Sequence, residues 1–241
     1  MHRYYTPILL LSAFLLGILA SDDPLLFCVI TAKRPTSYLP ELIHGLEDAG
    51  ANFDIVDVDN STPASMMDVL SIPTTFECRT DGIISCPEQK RIWYILEGLA
   101  RCIQDQNPQW VALTEDNLAV CDGGVETMHT VLESLGLFKL ARFTKYSRVV
   151  VFPIEFIQTF SDYARKLLHM VSYDILLSFN WAEGRDYVHP TALFAYRGDI
   201  MTTMDKTSVI YMNAYNLMRQ ETCGASLVDP NMPDRRNYIN T

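Results

Sequence analysis

An apolar run of strand length that ends in a polar turn and gives way at once to helical periodicity is the feature that most narrows the fold. Leu25 to Thr31 is such a run, and Ala32 to Thr36 is the turn. Tyr38, Leu39, Leu42, Ile43, Leu46 and Ala49 then recur at helical spacing, and Gly50 is placed to end the helix.

The alternation continues. Phe53 to Val58 reads as a second strand, Gln89 to Gln104 as a long helix, and Trp110 to Leu113 as a third strand. Val125 to Leu137 reads as a helix, Val149 to Phe152 as a fourth strand, Ile154 to Met170 as a long helix and Tyr173 to Trp181 as a further one. Such alternation predicts an α/β domain with a mainly parallel central sheet. There is no internal repeat, low-complexity tract or flexible linker, so residues 25–205 are expected to form one domain, followed by a tail over 206–241. At 241 residues the chain is long enough to bury a core of its own.

The first 24 residues stand apart. His2 and Arg3 precede an apolar run from Pro7 to Ala20, and Ser21 to Pro24 end it. The run has 14 residues, short of the roughly 20 needed for a full span. It reads as a cleaved secretory signal or as a short uncleaved anchor. Both place the rest in the secretory pathway, at the lumenal face of ER or Golgi membranes or outside the cell. Asn60-Ser61-Thr62 is a glycosylation acceptor triplet. Six cysteines suit disulfides in an oxidising compartment. Cys78 and Cys86 flank a turn and are expected to pair locally. Cys28, inside the first strand, reads as a buried thiol. No cysteine spacing makes a zinc pattern. A net charge of −10 argues against a general binder of phosphate backbones, so no nucleic-acid partner is expected.

Ligands of open α/β sheets bind beyond the carboxyl ends of the strands. Trp110 to Leu113 runs into Thr114, Glu115, Asp116 and Asn117. Adjacent acids at a strand end repel each other and are costly to bury without a cation. One reading is a divalent ion carrying a diphosphate, with oxygen ligands suited to Mg or Mn. The other is a solvated turn with Asn117 as a helix cap. Thr31 and Arg34 follow the first strand, where Arg34 suits a phosphate or a ring edge. Asp57 and Asp59, at the end of the second strand, suit a ribose, though acids are common at the end of an edge strand. Asp174 begins a helix, where an acid is favoured in any case, and it is also a candidate general base. His189 reads as structural.

Cys28-Val29-Ile30-Thr31-Ala32-Lys33-Arg34-Pro35 with Ser37-Tyr38-Leu39, Leu113-Thr114-Glu115-Asp116-Asn117, Val149 to Pro153, and Tyr173 to Leu177 with Val188 to Phe194 and Gly198 occur in an order that resembles one family. It is the GPI N-acetylgalactosamine transferases called post-GPI attachment to proteins factor four, which are related to the type-four branching N-acetylglucosaminyltransferases. The resemblance implies a GT-A-like nucleotide-sugar-binding domain, a UDP-sugar donor and Mn-assisted transfer with inversion to a glycan or GPI glycolipid. Carried over, Glu115, Asp116 and Asn117 face the metal and donor, Thr31 and Arg34 contact the nucleotide, and Asp174 is the candidate base. Three departures follow. Asn117 replaces the motif's last acid, Tyr196 stands where the family has a late histidine, and the family's paired membrane spans are missing between Leu140 and Ser147. Asn117 and Tyr196 motivate a rival expectation: a lumenal binding protein of the same fold that has lost catalysis.

Overall fold

The computed structural model describes residues 23–32, 37–57, 69–71, 76–104, 106–144, 148–171, 176, 185–197 and 222–227. Nine strands are found among them: β1 (Leu25–Thr31), β2 (Asn52–Asp57), β3 (Val69–Ser71), β4 (Trp110–Glu115), β5 (Leu118–Val120), β6 (Leu140–Arg142), β7 (Val149–Pro153), β8 (Asp186–Val188) and β9 (Phe194–Tyr196). The helices among the described residues are α1 (Leu39–Asp48), α2 (Cys86–Cys102), α3 (Gly124–Ser134) and α4 (Ile154–Leu167). The expected elements recur with ends shifted by a few residues. The helix expected over Tyr173 to Trp181 lies outside the described residues except for Leu176, which is buried.

Seven strands form one sheet in the order β3-β2-β1-β4-β7-β6-β8. Four of its six pairings are parallel and two, both made by β7, are antiparallel. This is the α/β class with a mainly parallel central sheet that was expected of a GT-A-like domain. β7 departs from that direction because it returns to β4 as the antiparallel partner, Thr114 opposite Val149 and Trp110 opposite Pro153.

β1 explains the layering. Its odd residues Leu25, Phe27 and Val29 join α1, α3 and the inner sides of β5 and β9 in one apolar cluster. Its even residues Leu26 and Cys28 join α2 and α4 in a second cluster on the other face. Strict alternation across a pleated strand, with both faces covered, makes the run continuously apolar. Burying a Leu or Phe side chain contributes roughly 1.5–3 kcal/mol, so a strand with five fully buried apolar residues anchors both clusters. Gly50 ends α1 as expected. Its φ is +66°, and Gly50 N–H and Ala51 N–H donate to the carbonyls of Glu47 and Leu46, a helix stop that glycine adopts without strain.

β5 and β9 pair antiparallel as a separate ribbon over α1, Leu118 opposite Tyr196. The helix cap expected at Asn117 is therefore a strand junction: β5 begins one residue later.

The cysteines require one correction. Cys78 and Cys86 are bonded, as the sequence suggested, but Cys28 is not a thiol: it is bonded to Cys102. Cys28 faces the α2 side of the sheet, and the last turn of α2 brings Cys102 over it. The third bond joins Cys121 to Cys223. Residues 222–227, expected in a tail, are attached to the domain by this bond and by Ala192 N–H donating to Ala225 O.

Candidate functional site

The sheet changes direction of growth at β1. From β1 the chain adds β2 and β3 on one side, then crosses to add β4 on the other. Adjacent parallel strands whose crossovers leave in opposite directions open a crevice beyond their carboxyl ends, the usual ligand position in open α/β sheets. Thr31 ends β1 and Glu115 ends β4, so both lie at that crevice. The register places Ile30 opposite Glu115 and Thr31 opposite Asp57.

The side chains converge. Thr31 Oγ1 donates to Asp116 Oδ2 at 2.7 Å across 85 residues of sequence. Thr31, Asp57, Asp116 and Asn117 are all buried, Asp116 at 1% exposure. That value decides against a solvated turn. A charged-group hydrogen bond in such surroundings is worth about 1.5–3 kcal/mol.

Glu115 is balanced by guanidinium groups that sequence reasoning did not assign. Arg148 Nη1 donates to Glu115 Oε2 at 2.6 Å and to Asn117 Oδ1 at 3.3 Å. Arg91 Nη2 donates to the other Glu115 oxygen at 2.8 Å. The Arg148 guanidinium also lies 4.5 Å from the centre of the Tyr196 ring, within cation–π range. Arg148 reaches the site because β7 is antiparallel: the start of β7, not its end, lies beside the end of β4. Glu115 N–H donates to Arg148 O at 3.1 Å. Thr144 Oγ1 accepts from the N–H groups of Arg148 and Val149 at 2.9 Å. Tyr196 arrives by the same logic, since β9 runs back along β5 and Arg197 N–H donates to Asn117 O. The available signal was a basic residue directly before an apolar strand. Its meaning depended on strand direction, which hydrophobic pattern does not carry.

The arrangement tests the expected metal. Mn takes several anionic or neutral oxygen ligands with room for water around them. Here Glu115 is engaged by two arginines, Asn117 brings no charge, and a guanidinium already occupies the face between them. Two unit charges near 4 Å repel by about 4 kcal/mol at an intermediate dielectric, and a dication beside Arg148 doubles that. With Arg148 and Arg91 on Glu115, these side chains are a poor fit to a divalent ion. Among the described residues, no group of three or more His, Cys, Asp or Glu side chains is placed to hold a metal. Arg34 and Asp174 lie outside the described residues.

His189 is buried and structural in its contacts. Its Nδ1 is 2.6 Å from Thr191 O, and its ring stacks on Phe143 at 5.8 Å.

The fold is an open α/β sheet with a switch-point crevice beyond the carboxyl ends of β1 and β4. No protein-family model matches the chain, and no curated relative does. Several solved structures are similar in fold. One is a glycosyltransferase involved in glycosylation of the major capsid of PBCV-1, with a TM-score of 0.43 and 13% identity over 80% of this chain and 100% of that one. Another is S. aureus TarS 1-349 in complex with UDP-GlcNAc, with a TM-score of 0.44 and 10% identity over 80% of this chain and 65% of that one. A third is A197 from STIV, at 0.37 and 9% over 76% and 99%. Likeness at these identities is one of fold, and the chemistry of the crevice has to be argued from its own side chains.

Proposed function

We propose that the protein is a glycosyltransferase that moves a sugar, an N-acetylhexosamine, from a UDP donor to a glycan or GPI glycolipid in the ER or Golgi lumen. The observation that carries this reading is the convergence of Thr31, Glu115 and Asp116 at the switch-point crevice, where nucleotide ligands sit in open α/β folds. The serial motifs from Cys28 to Gly198 give it its substrate class. Asp57, opposite Thr31 in the register, is assigned to the ribose hydroxyls and Arg34 to the nucleotide.

The step is a single displacement. Asp174 takes the proton of the acceptor hydroxyl as that oxygen attacks the anomeric carbon. The carbon–oxygen bond to the diphosphate breaks, its electron pair leaves on UDP, and the configuration inverts. A general base contributes typically 10²–10⁴-fold. Asp174→Asn is therefore expected to lower transfer by about that factor while UDP affinity is kept.

Calorimetric titration with UDP and with UDP-N-acetylhexosamines, followed by assay of sugar release or transfer, tests the reading. Binding with turnover supports the enzyme. Binding without turnover, with or without added acceptor, favours the lumenal binding protein, a reading supported by the Asn117 amide in place of an acid. Absence of binding removes both. For location, a tagged full chain that stays cytosolic, or an Asn60 without a glycan when the chain is expressed in a secretory host, counts against the lumenal assignment.

A further inference from the structure

We infer that the positive charge for a nucleoside diphosphate at this crevice comes from the guanidinium pair Arg148 and Arg91, so the site takes its ligand without a divalent metal. The inference rests on the nucleotide reading of the crevice and adds to it the identity of the cation.

Three observations carry it. First, both oxygens of Glu115 are already bonded to guanidinium groups, Arg148 at 2.6 Å and Arg91 at 2.8 Å. Second, two further groups that touch Arg148, the uncharged Asn117 amide oxygen and the Tyr196 ring face, suit a guanidinium. Asn117 and Tyr196, the two residues where the sequence departs from a metal-binding pattern, both touch this one arginine. Third, the two arginines differ in access. The Arg148 side chain is 10% exposed and Arg91 is 39% exposed. Arg148 is fixed on Glu115 and Asn117, whereas Arg91, bonded to Glu115 and 3.8 Å from Glu88, is the more exposed of the two and the one within reach of a phosphate in solvent. A planar guanidinium presents paired donors that match phosphate oxygens.

In the transfer step, the charge that develops on the leaving diphosphate is then met by guanidinium hydrogen bonds. No co-reactant is required, and the bond changes are those already given.

The test uses the full chain and two probes, Mn alone and UDP. In Mn electron paramagnetic resonance, the wild type is expected to leave the free-ion signal undiminished, and Arg148→Gln to take up Mn as the acids lose their resident cation. In calorimetry, UDP affinity is expected to be equal with EDTA and with Mn. Arg91→Gln, on the exposed face of α2, is expected to weaken UDP by at least about tenfold, the size of a lost charge-assisted hydrogen bond. Uptake of Mn by the wild type, or UDP binding that disappears in EDTA, overturns the inference and leaves the nucleotide reading standing. Failure to bind UDP in either buffer overturns both. If Arg148→Gln does not fold, the wild-type and Arg91→Gln arms decide alone.

Discussion

Thr31 and Asp116 are the residues whose meeting the sequence anticipated and whose energetics can be isolated. The hydroxyl bonds a carboxylate that is almost wholly inaccessible. Thr31→Val keeps the shape and removes the donor, leaving a buried charge with one fewer hydrogen bond. A loss of about 1.5–3 kcal/mol is expected in urea unfolding, and Thr31→Ser should recover most of it. An unchanged midpoint for Thr31→Val means the contact carries no stability. Asp54 in β2 behaves in the opposite way. Burial raises its pKa, opposed in part by the hydrogen bond from Gln106. An acid with a raised folded pKa keeps its proton after the unfolded chain has lost it, so its contribution falls as pH rises from about 4 through the folded value. Asp54→Asn removes that titration. The variant is expected to gain on the wild type as pH rises through that window, measured as denaturation midpoints across pH. A constant gap rejects the assignment. The acids and the threonine were legible because polar residues at the ends of apolar strands have few places to go in an α/β fold. Arg148 and Arg91 were not, because both arrive through tertiary placement, one by strand direction and one by the rotation of a helix. Cys28 was misread for a related reason: its apolar setting was clear, but not which helix end lay above it.

Long periodic elements were legible, and short ones were not. α1, α2 and α4 and strands β1, β2, β4 and β7 have enough residues for a repeat to show. β3, β5, β6, β8 and β9 have three residues each, too few for an alternation to rise above chance. The ribbon of β5 and β9 matters because it presents Tyr196 and seats α3. The first helical residue of α3, Gly124, lies so close to the ribbon's entry that an added Cβ would stand 2.6 Å from Leu193 O. Backbone cannot yield as a flexible side-chain tip can. Gly124→Ala is therefore expected to destabilise the fold by about 1–3 kcal/mol through overpacking, despite alanine's better helix propensity. Thermal unfolding checks this, and a stabilised variant would show that α3 can shift at no cost.

At the scale of the whole molecule, two of the three disulfides join parts that are distant in sequence. Cys28–Cys102 closes a separation of 74 residues between the central strand and the end of α2. Cys121–Cys223 closes 102 residues and brings the segment 222–227 against Pro190 to Ala192. Cys78–Cys86 closes only 8. All six cysteines of the chain are used, which suits the oxidising compartment the N-terminal residues suggest. In the chain-entropy account, a bond limits the unfolded ensemble more as its loop lengthens, to about 4–5 kcal/mol for the two long loops and about 2–3 kcal/mol for the short one. The three bonds should therefore separate in mutagenesis. Replacing Cys78 and Cys86 together by alanine should leave a folded chain with a modestly lower midpoint. Replacing Cys28 and Cys102 together should cost considerably more, and the apolar packing between β1 and α2 magnifies the loss by leaving two small side chains where a bond had filled space. Denatured wild-type chain from a secretory host should titrate no free thiol, and each double variant should also titrate none. A free thiol in the wild type, or equal losses from the short and long pairs, would show that these bonds do not tie the fold together as the topology requires.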